Sequence, residues 1–272
     1  MSILKDIQVA FLKLGVNTLG QLSDGIRLAT KEGFISGKML EYIYQNQPHG
    51  ITFLGRYFDK VFIRHPGWQD VRNRKDNLMS VLSETIEEQF KSRDAVRLCD
   101  VASGPAGYVL DTLKNFQNRS DGKTVSAEIR DLDARWLEDA MKKAQQWGLN
   151  NIVSRPGNAL EESDFTFDVK PNIFISSGFY DWIEDDELVK LSMRLIYAAL
   201  PVGGAFVFTN QSGHVDLTLT NRVFKDFNNQ SLKMKVRPAE EINAWAQEIG
   251  FEIQQTKSDP AGHYSVTGAI KR

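Results

Sequence analysis

An acid, three small residues and two glycines stand within eight positions of this chain, a grouping suited to holding a ligand. They form the run Asp100-Val101-Ala102-Ser103-Gly104-Pro105-Ala106-Gly107. Ahead of it, Val96, Leu98 and Val101 read as a short buried strand; behind it, Tyr108 to Phe116 reads as a helix. Small residues let a ligand approach the backbone closely, and a helix start offers unpaired N–H groups. The pattern predicts a nucleotide-type turn at the carboxyl end of a core strand. It is not the dinucleotide fingerprint G-x-G-x-x-G, because Ser103 to Gly107 supplies only two of the glycines, and no Gly-Lys-Ser/Thr follows to hold a triphosphate.

A second acid stands where such a turn needs one. Asp131 lies 24 residues after Gly107 at the end of a predicted strand from Thr124 to Ile129. The expected interval is about 20, and a carboxylate there can accept hydrogen bonds from both hydroxyls of a ribose. Asp133 reads as the cap of the next helix, Ala134 to Trp147; the exchanged assignment of the two acids stays open. A third strand begins at Ile152-Val153, and Gly157-Asn158-Ala159 follows it. Asn172 to Ser176 is a fourth, with Ser176-Ser177-Gly178 at the end where an open α/β sheet carries its catalytic residues. Tyr180 lies just beyond, and His214, after a fifth strand running from Ala205, is at the correct edge of the sheet for a base, although a solvated loop histidine reads the same way. His49, His65 and His263 lack metal-ligand spacing and there is no Cys/His cluster, so no metal is predicted.

The rest of the chain supplies the scaffold for these residues. Alternating predicted strands and helices from about residue 93 give an α/β domain, and Phe251 to Thr256 with His263 to Ile270 close it as a strand pair around Asp259-Pro260-Ala261-Gly262. Residues 1–92 read as a helical region. Helices are predicted over residues 2–30 with breaks near Gly15, Gly20 and Gly25, over Ser36 to Gln45, over Phe53 to Ile63, and from Val71 to Phe90 after a turn at Trp68. The first is either an ordinary packed amphipathic helix or a surface for an apolar substrate, a membrane face or a second subunit, which would make a homo-oligomer. Arg64, Arg72, Arg74 and Lys75 read as a solvated basic face.

Composition sets outer limits. The chain has 272 residues, 42% hydrophobic and 25% charged, which suits a globule with a sizeable core. A net charge of −2 gives no basic field to attract nucleic acid. The single cysteine, Cys99, excludes an internal disulfide and reads as a buried structural thiol. With no secretory signal and no apolar run long enough to span a bilayer, a cytoplasmic location is expected.

The motif Asp-x-Ala-x-Gly-x-x-Gly, together with Asp131, Gly157-Asn158-Ala159 and the Pro201-Val202-Gly203-Gly204 turn into a strand, resembles the class I S-adenosylmethionine (SAM)-dependent methyltransferases. The stretch Ser23 to Gly50, with Arg130-Asp131 and Ser177-Gly178-Phe179-Tyr180, also resembles one family of bacterial methyltransferases, whose domain occurs alone or behind an α/β-hydrolase domain. The resemblance implies a Rossmann-like α/β fold with a seven-stranded sheet and an antiparallel last strand, made by residues 93–272. Residues 1–92 would be a helical lid over the substrate pocket. It further implies that SAM touches Asp100, Ala102, Gly104, Gly107, Asp131, Leu132, Asn158, Ala159 and Ser176. The acceptor would be a small or lipid-like molecule. Tyr180 stands where small-molecule O-methyltransferases place a histidine base, and an unperturbed tyrosine, with a pKa of about 10, is a poor base near neutral pH. His214 is the other candidate base. A catalytically silent binding module of the same fold is the competing reading. A nucleic-acid amino-methyltransferase is disfavoured, since Ser176-Ser177-Gly178-Phe179 replaces its Asn/Asp-Pro-Pro-aromatic motif.

Overall fold

The structure is a computed structural model and describes residues 13–34, 36–214, 217–225, 230, 232 and 234–272. The first part of the helix expected over residues 2–30 lies outside them. Residues 13–17 are helical, a 3-10 turn covers Leu19–Leu22, and the chain restarts as α1, Asp24–Glu32. Helices α2 (Gly37–Gln45), α3 (Phe53–Ile63) and α4 (Pro66–Gln89) follow. Each of the first three starts on a hydroxyl that accepts a free N–H of the first turn: Ser23 from Ile26, Ser36 from Met39 and Thr52 from Gly55. Trp68 is not in a turn. Pro66 opens α4 two residues earlier, at the one helical position where a missing N–H costs nothing.

From there strands and helices alternate, except that only a 3-10 turn (Glu162–Phe165) separates β3 from β4: β1 (Ala95–Val101), α5 (Gly107–Phe116), β2 (Thr124–Asp131), α6 (Ala134–Gln146), β3 (Ile152–Pro156), β4 (Ile173–Ser176), α7 (Asp186–Ala199) and β5 (Ala205–Gln211). The last elements are α8 (Leu217–Val223), α9 (Ala239–Ile249), β6 (Phe251–Ser258) and β7 (Tyr264–Lys271). The strands form one seven-stranded sheet in the order β3-β2-β1-β4-β5-β7-β6, parallel except for β7, which runs antiparallel to β5 and β6. The order reverses between β1 and β4, so their carboxyl ends flank the crevice where open α/β sheets bind ligands.

Period-two alternation sorts the sheet's side chains onto two buried layers. Val96, Leu98, Ile173, Ile175 and Val207 pack with Leu78, Val81, Leu82 and Ile86 of α4, Leu113 of α5 and Leu137 of α6. Cys99, Val101, Phe174, Phe206 and Phe208 face the other way, onto Val189, Met193 and Ile196 of α7 and Ile242 and Trp245 of α9.

The chain divides into two compact units, and not at residue 92. One comprises the described parts of Met1–Arg72 and His214–Met234; the other comprises Asn73–Gly213 and Lys235–Arg272. The reason is the apolar stripe of α4 from Leu78 onward, which belongs to the sheet's core, while the segment after β5 joins the first helices. There Phe224 stacks on Phe34 at 4.0 Å between ring centroids, and the Phe34 N–H donates to the Lys225 carbonyl at 3.0 Å. The basic residues of α4 are not a uniform solvated face either. Arg72 and Arg74 are buried, and Lys75 pairs with Asp111 at 2.7 Å.

Candidate active site

Three residues of the β1–α5 turn take left-handed backbone conformations: Ala102 (φ 52°), Gly104 (φ 54°) and Ala106 (φ 50°). For the two alanines this costs on the order of 1 kcal/mol or more each, strain of the kind kept where a loop must hold one shape. The shape is fixed from β2. The Ser103 N–H donates to the Arg130 carbonyl at 2.9 Å, and the Gly104 N–H donates to Asp131 Oδ2 at 2.8 Å. Nothing lies within 4 Å of where a Gly104 side chain would begin, so the turn faces open space.

Asp131 therefore stands at the loop, as expected. Its Oδ1 accepts the Asp133 N–H at 2.8 Å, and each oxygen keeps acceptor capacity for a further donor. Burial raises its pKa above the ordinary carboxylate value, against the pull of those two backbone N–H groups. Asp133 caps α6 by accepting the Arg135 N–H at 3.0 Å. Leu132, between them, is 74% exposed, a large apolar side chain held out beside the acid.

A narrow recess with no room for a water molecule lies at the carboxyl ends of β1, β2 and β3, with Ala102, Arg130, Gly157, Asn158, Ala159 and Phe165 among its walls. Its far side is built by a segment whose sequence carried no recognised signal. Asp164 accepts the Asn158 N–H at 2.7 Å through its side chain, and its carbonyl accepts from the Arg130 guanidinium, which lies 4.1 Å from the Phe167 ring centroid. Asn158 Oδ1 accepts the Leu160 N–H at 3.0 Å, an arrangement that leaves the amide NH2 end available as donor.

Other expected site residues sit deeper. Asp100 is fully buried; its Oδ2 accepts the Tyr108 hydroxyl at 2.7 Å, while Oδ1 has no hydrogen-bond partner. Burial pushes its pKa well up. Asp100 thus lies beneath the turn and shows no surface to a ligand. Gly107 and Ala159 are buried with their backbones at the rim of the turn and of the recess. Ser176, the other residue expected to touch SAM, is fully buried at the carboxyl end of β4.

Tyr180 is buried in the same way. It is a core residue with no exposed surface; its hydroxyl lies 3.3 Å from Ser192 Oγ, and burial raises its pKa further. The carbonyls of Tyr180 and Ile183 instead accept hydrogen bonds from the buried Arg237. His214 begins the segment that clusters with the helical unit, so the structure does not bring it together with the loop residues in one unit.

What sequence reasoning missed is Asp181. It is buried, accepts the Gln211 N–H at 2.9 Å, and pairs with Arg74 at 3.3 Å. Beside it, the Gly178 N–H donates to Thr209 Oγ1 at 2.8 Å. This network ties α4 to the carboxyl ends of β4 and β5. The only signal available was an acid directly after a predicted catalytic strand end.

A protein family described as "Putative methyltransferase" matches residues 1–271. The chain belongs to that family. The "Uncharacterized protein YnbC" of Escherichia coli (strain K12) is 28% identical over 270 residues, which are 98% of this chain and 45% of that protein. The methyltransferase-family chain thus spans less than half the length of this curated relative. Among solved structures, a possible exported protein from Bordetella parapertussis superimposes with a TM-score of 0.67 at 16% identity, over 98% of this chain and 96% of that one. The magnesium protoporphyrin IX methyltransferase of Synechocystis PCC 6803, with SAH bound, gives a TM-score of 0.58 at 10% identity, over 89% and 98%. With the observed strand order, these likenesses establish the Rossmann-like class I methyltransferase fold. No helix of the described residues is long and apolar enough to cross a membrane.

Proposed function

We propose that this protein is a SAM-dependent methyltransferase acting on a small-molecule or lipid-like acceptor. The observation that carries the reading is the Gly104–Asp131 pair. A strained turn with open space above it is fastened to a carboxylate that still has room for two donors. Asp131 would hold the ribose hydroxyls, Leu132 would cover one face of the adenine, and the NH2 of Asn158 would donate to a ring nitrogen. Ala102 and Gly104 would line the methionine part. The Synechocystis neighbour, solved with SAH and also with SAM, supports this cofactor, and its name supports a small-molecule acceptor.

Bound there, SAM supplies an electrophilic methyl group. The chain's own part is alignment and exclusion of water. An alcohol or phenol acceptor would also need a base, which buried Tyr180 does not supply; a neutral amine needs none before attack. Calorimetric titration with SAM and, separately, NAD tests the reading. Saturable SAM binding with no response to NAD is expected, followed by transfer of a labelled methyl group to some member of a panel of amine, acyl and phenolic acceptors. A folded protein that binds no SAM would overturn it.

A further inference from the structure

Helix α3 carries an arrangement that the methyl-transfer reading does not use. Gly55, Asp59 and Ile63, spaced by four, are buried and hold the helix onto its own unit. On the opposite side, Phe53, Tyr57 and Val61 are 91%, 57% and 59% exposed, and Leu54 extends the patch. At about 100° per residue, this apolar line sits roughly 200° from the buried one. Apolar side chains scattered singly over a surface are ordinary, but a contiguous stripe along one helix face marks an interaction site.

The charges bordering the stripe decide what it fits. Arg56, Lys60 and Arg64, again spaced by four, are all exposed and lie along one margin. The helix's only acid, Asp59, is buried and fully engaged by Ser23, Gly25, Tyr42 and His49. Every exposed charge on the helix is therefore positive, in a chain whose net charge is −2. An apolar face with aromatics, flanked by long cations that can reach upward, is the pattern of a helix lying in a lipid interface, and each cation near an anionic membrane adds attraction. We infer that α3 docks this unit onto an anionic lipid surface, as a peripheral contact independent of the cofactor assignment.

The test is co-sedimentation of the full chain with vesicles of phosphatidylcholine alone and of mixed phosphatidylcholine and phosphatidylglycerol, at low and high salt. Binding is expected to the mixture at low salt, with little to phosphatidylcholine alone. Phe53→Ser/Tyr57→Ser and, separately, Arg56→Glu/Lys60→Glu/Arg64→Glu should each lower the partition about tenfold or more. All five side chains are exposed, so the variants should keep the wild-type circular dichroism, which is checked alongside. Three results would overturn the inference. Wild type could fail to bind the anionic vesicles, or the variants could bind as wild type does. The Ser variant could instead abolish a concentration-dependent dimer seen by light scattering while vesicles have no effect, which would assign the stripe to a second copy.

Discussion

Asp59 in the helical unit and Asp131 at the sheet's edge do similar things with opposite outcomes. Asp59 accepts four hydrogen bonds, two on each oxygen: from the Ser23 hydroxyl (2.6 Å) and Gly25 N–H (2.7 Å), and from the Tyr42 hydroxyl (2.5 Å) and His49 N–H (2.8 Å). It is fully buried, and Gly25 is glycine because a Cβ there would come within 2.8 Å of the carboxylate. Asp131 accepts one backbone N–H on each oxygen and is half-buried. A saturated buried carboxylate is a structural junction. One that is oriented by the backbone but left half-satisfied keeps acceptor capacity for a further donor. The number of donors facing the oxygens separates the two roles, and residue type does not.

The largest effect expected is on stability. Asp59→Ala would strand four donors in the core of the helical unit and should cost about 3–5 kcal/mol, read from calorimetric or denaturant unfolding. A loss under about 1 kcal/mol would break the comparison at its structural end. Asp131→Ala should spare the fold and weaken SAM binding by about 1.5–3 kcal/mol, roughly 10- to 150-fold by titration calorimetry. Unchanged affinity would remove Asp131 from the site.

Asp181 gives an intermediate case, fully buried yet paired. Burial pushes its carboxyl up to about 6, with Arg74 and the Gln211 N–H pulling the other way. Unfolded, an aspartate titrates near about 3.9. The folded protein thus holds this proton more tightly. Its contribution to stability is fully present below about pH 4 and is lost as pH rises through about 6. Denaturant unfolding across that window should show wild type losing stability relative to Asp181→Asn. A flat difference between the two would contradict the assignment. The smallest effect is expected from Leu132→Ala, which should cost about 1 kcal/mol of SAM affinity through lost apolar contact and leave the melting temperature unchanged, because the side chain is exposed.

Much of the sheet-bearing unit was legible because its signals are local. The strand from Ala95, the small-residue turn and the acid 24 residues beyond Gly107 all stand where periodicity and spacing put them. Helix starts at Ser36 and Asp133 were legible for the same reason, since a cap acts on N–H groups two or three residues away. Burial was not legible. Arg74 and its neighbours have the composition of a solvated cluster, and only a partner 107 residues later shows that Arg74 is an interior ion pair. Tyr180 has the right position for an acceptor-facing residue, but the chain turns it into the core.

Local sequence patterns carry the order of elements, the small-residue turn after β1 and the acid opposite it, because strand alternation, capping and turn chemistry operate over a few residues. Tertiary structure decided which of the marked side chains reach a surface. It also moved the unit boundary into α4 and joined the segment after β5 to the first helices. Those outcomes depend on contacts between residues far apart in the chain, and no local pattern encodes whether a carboxylate meets two donors or four.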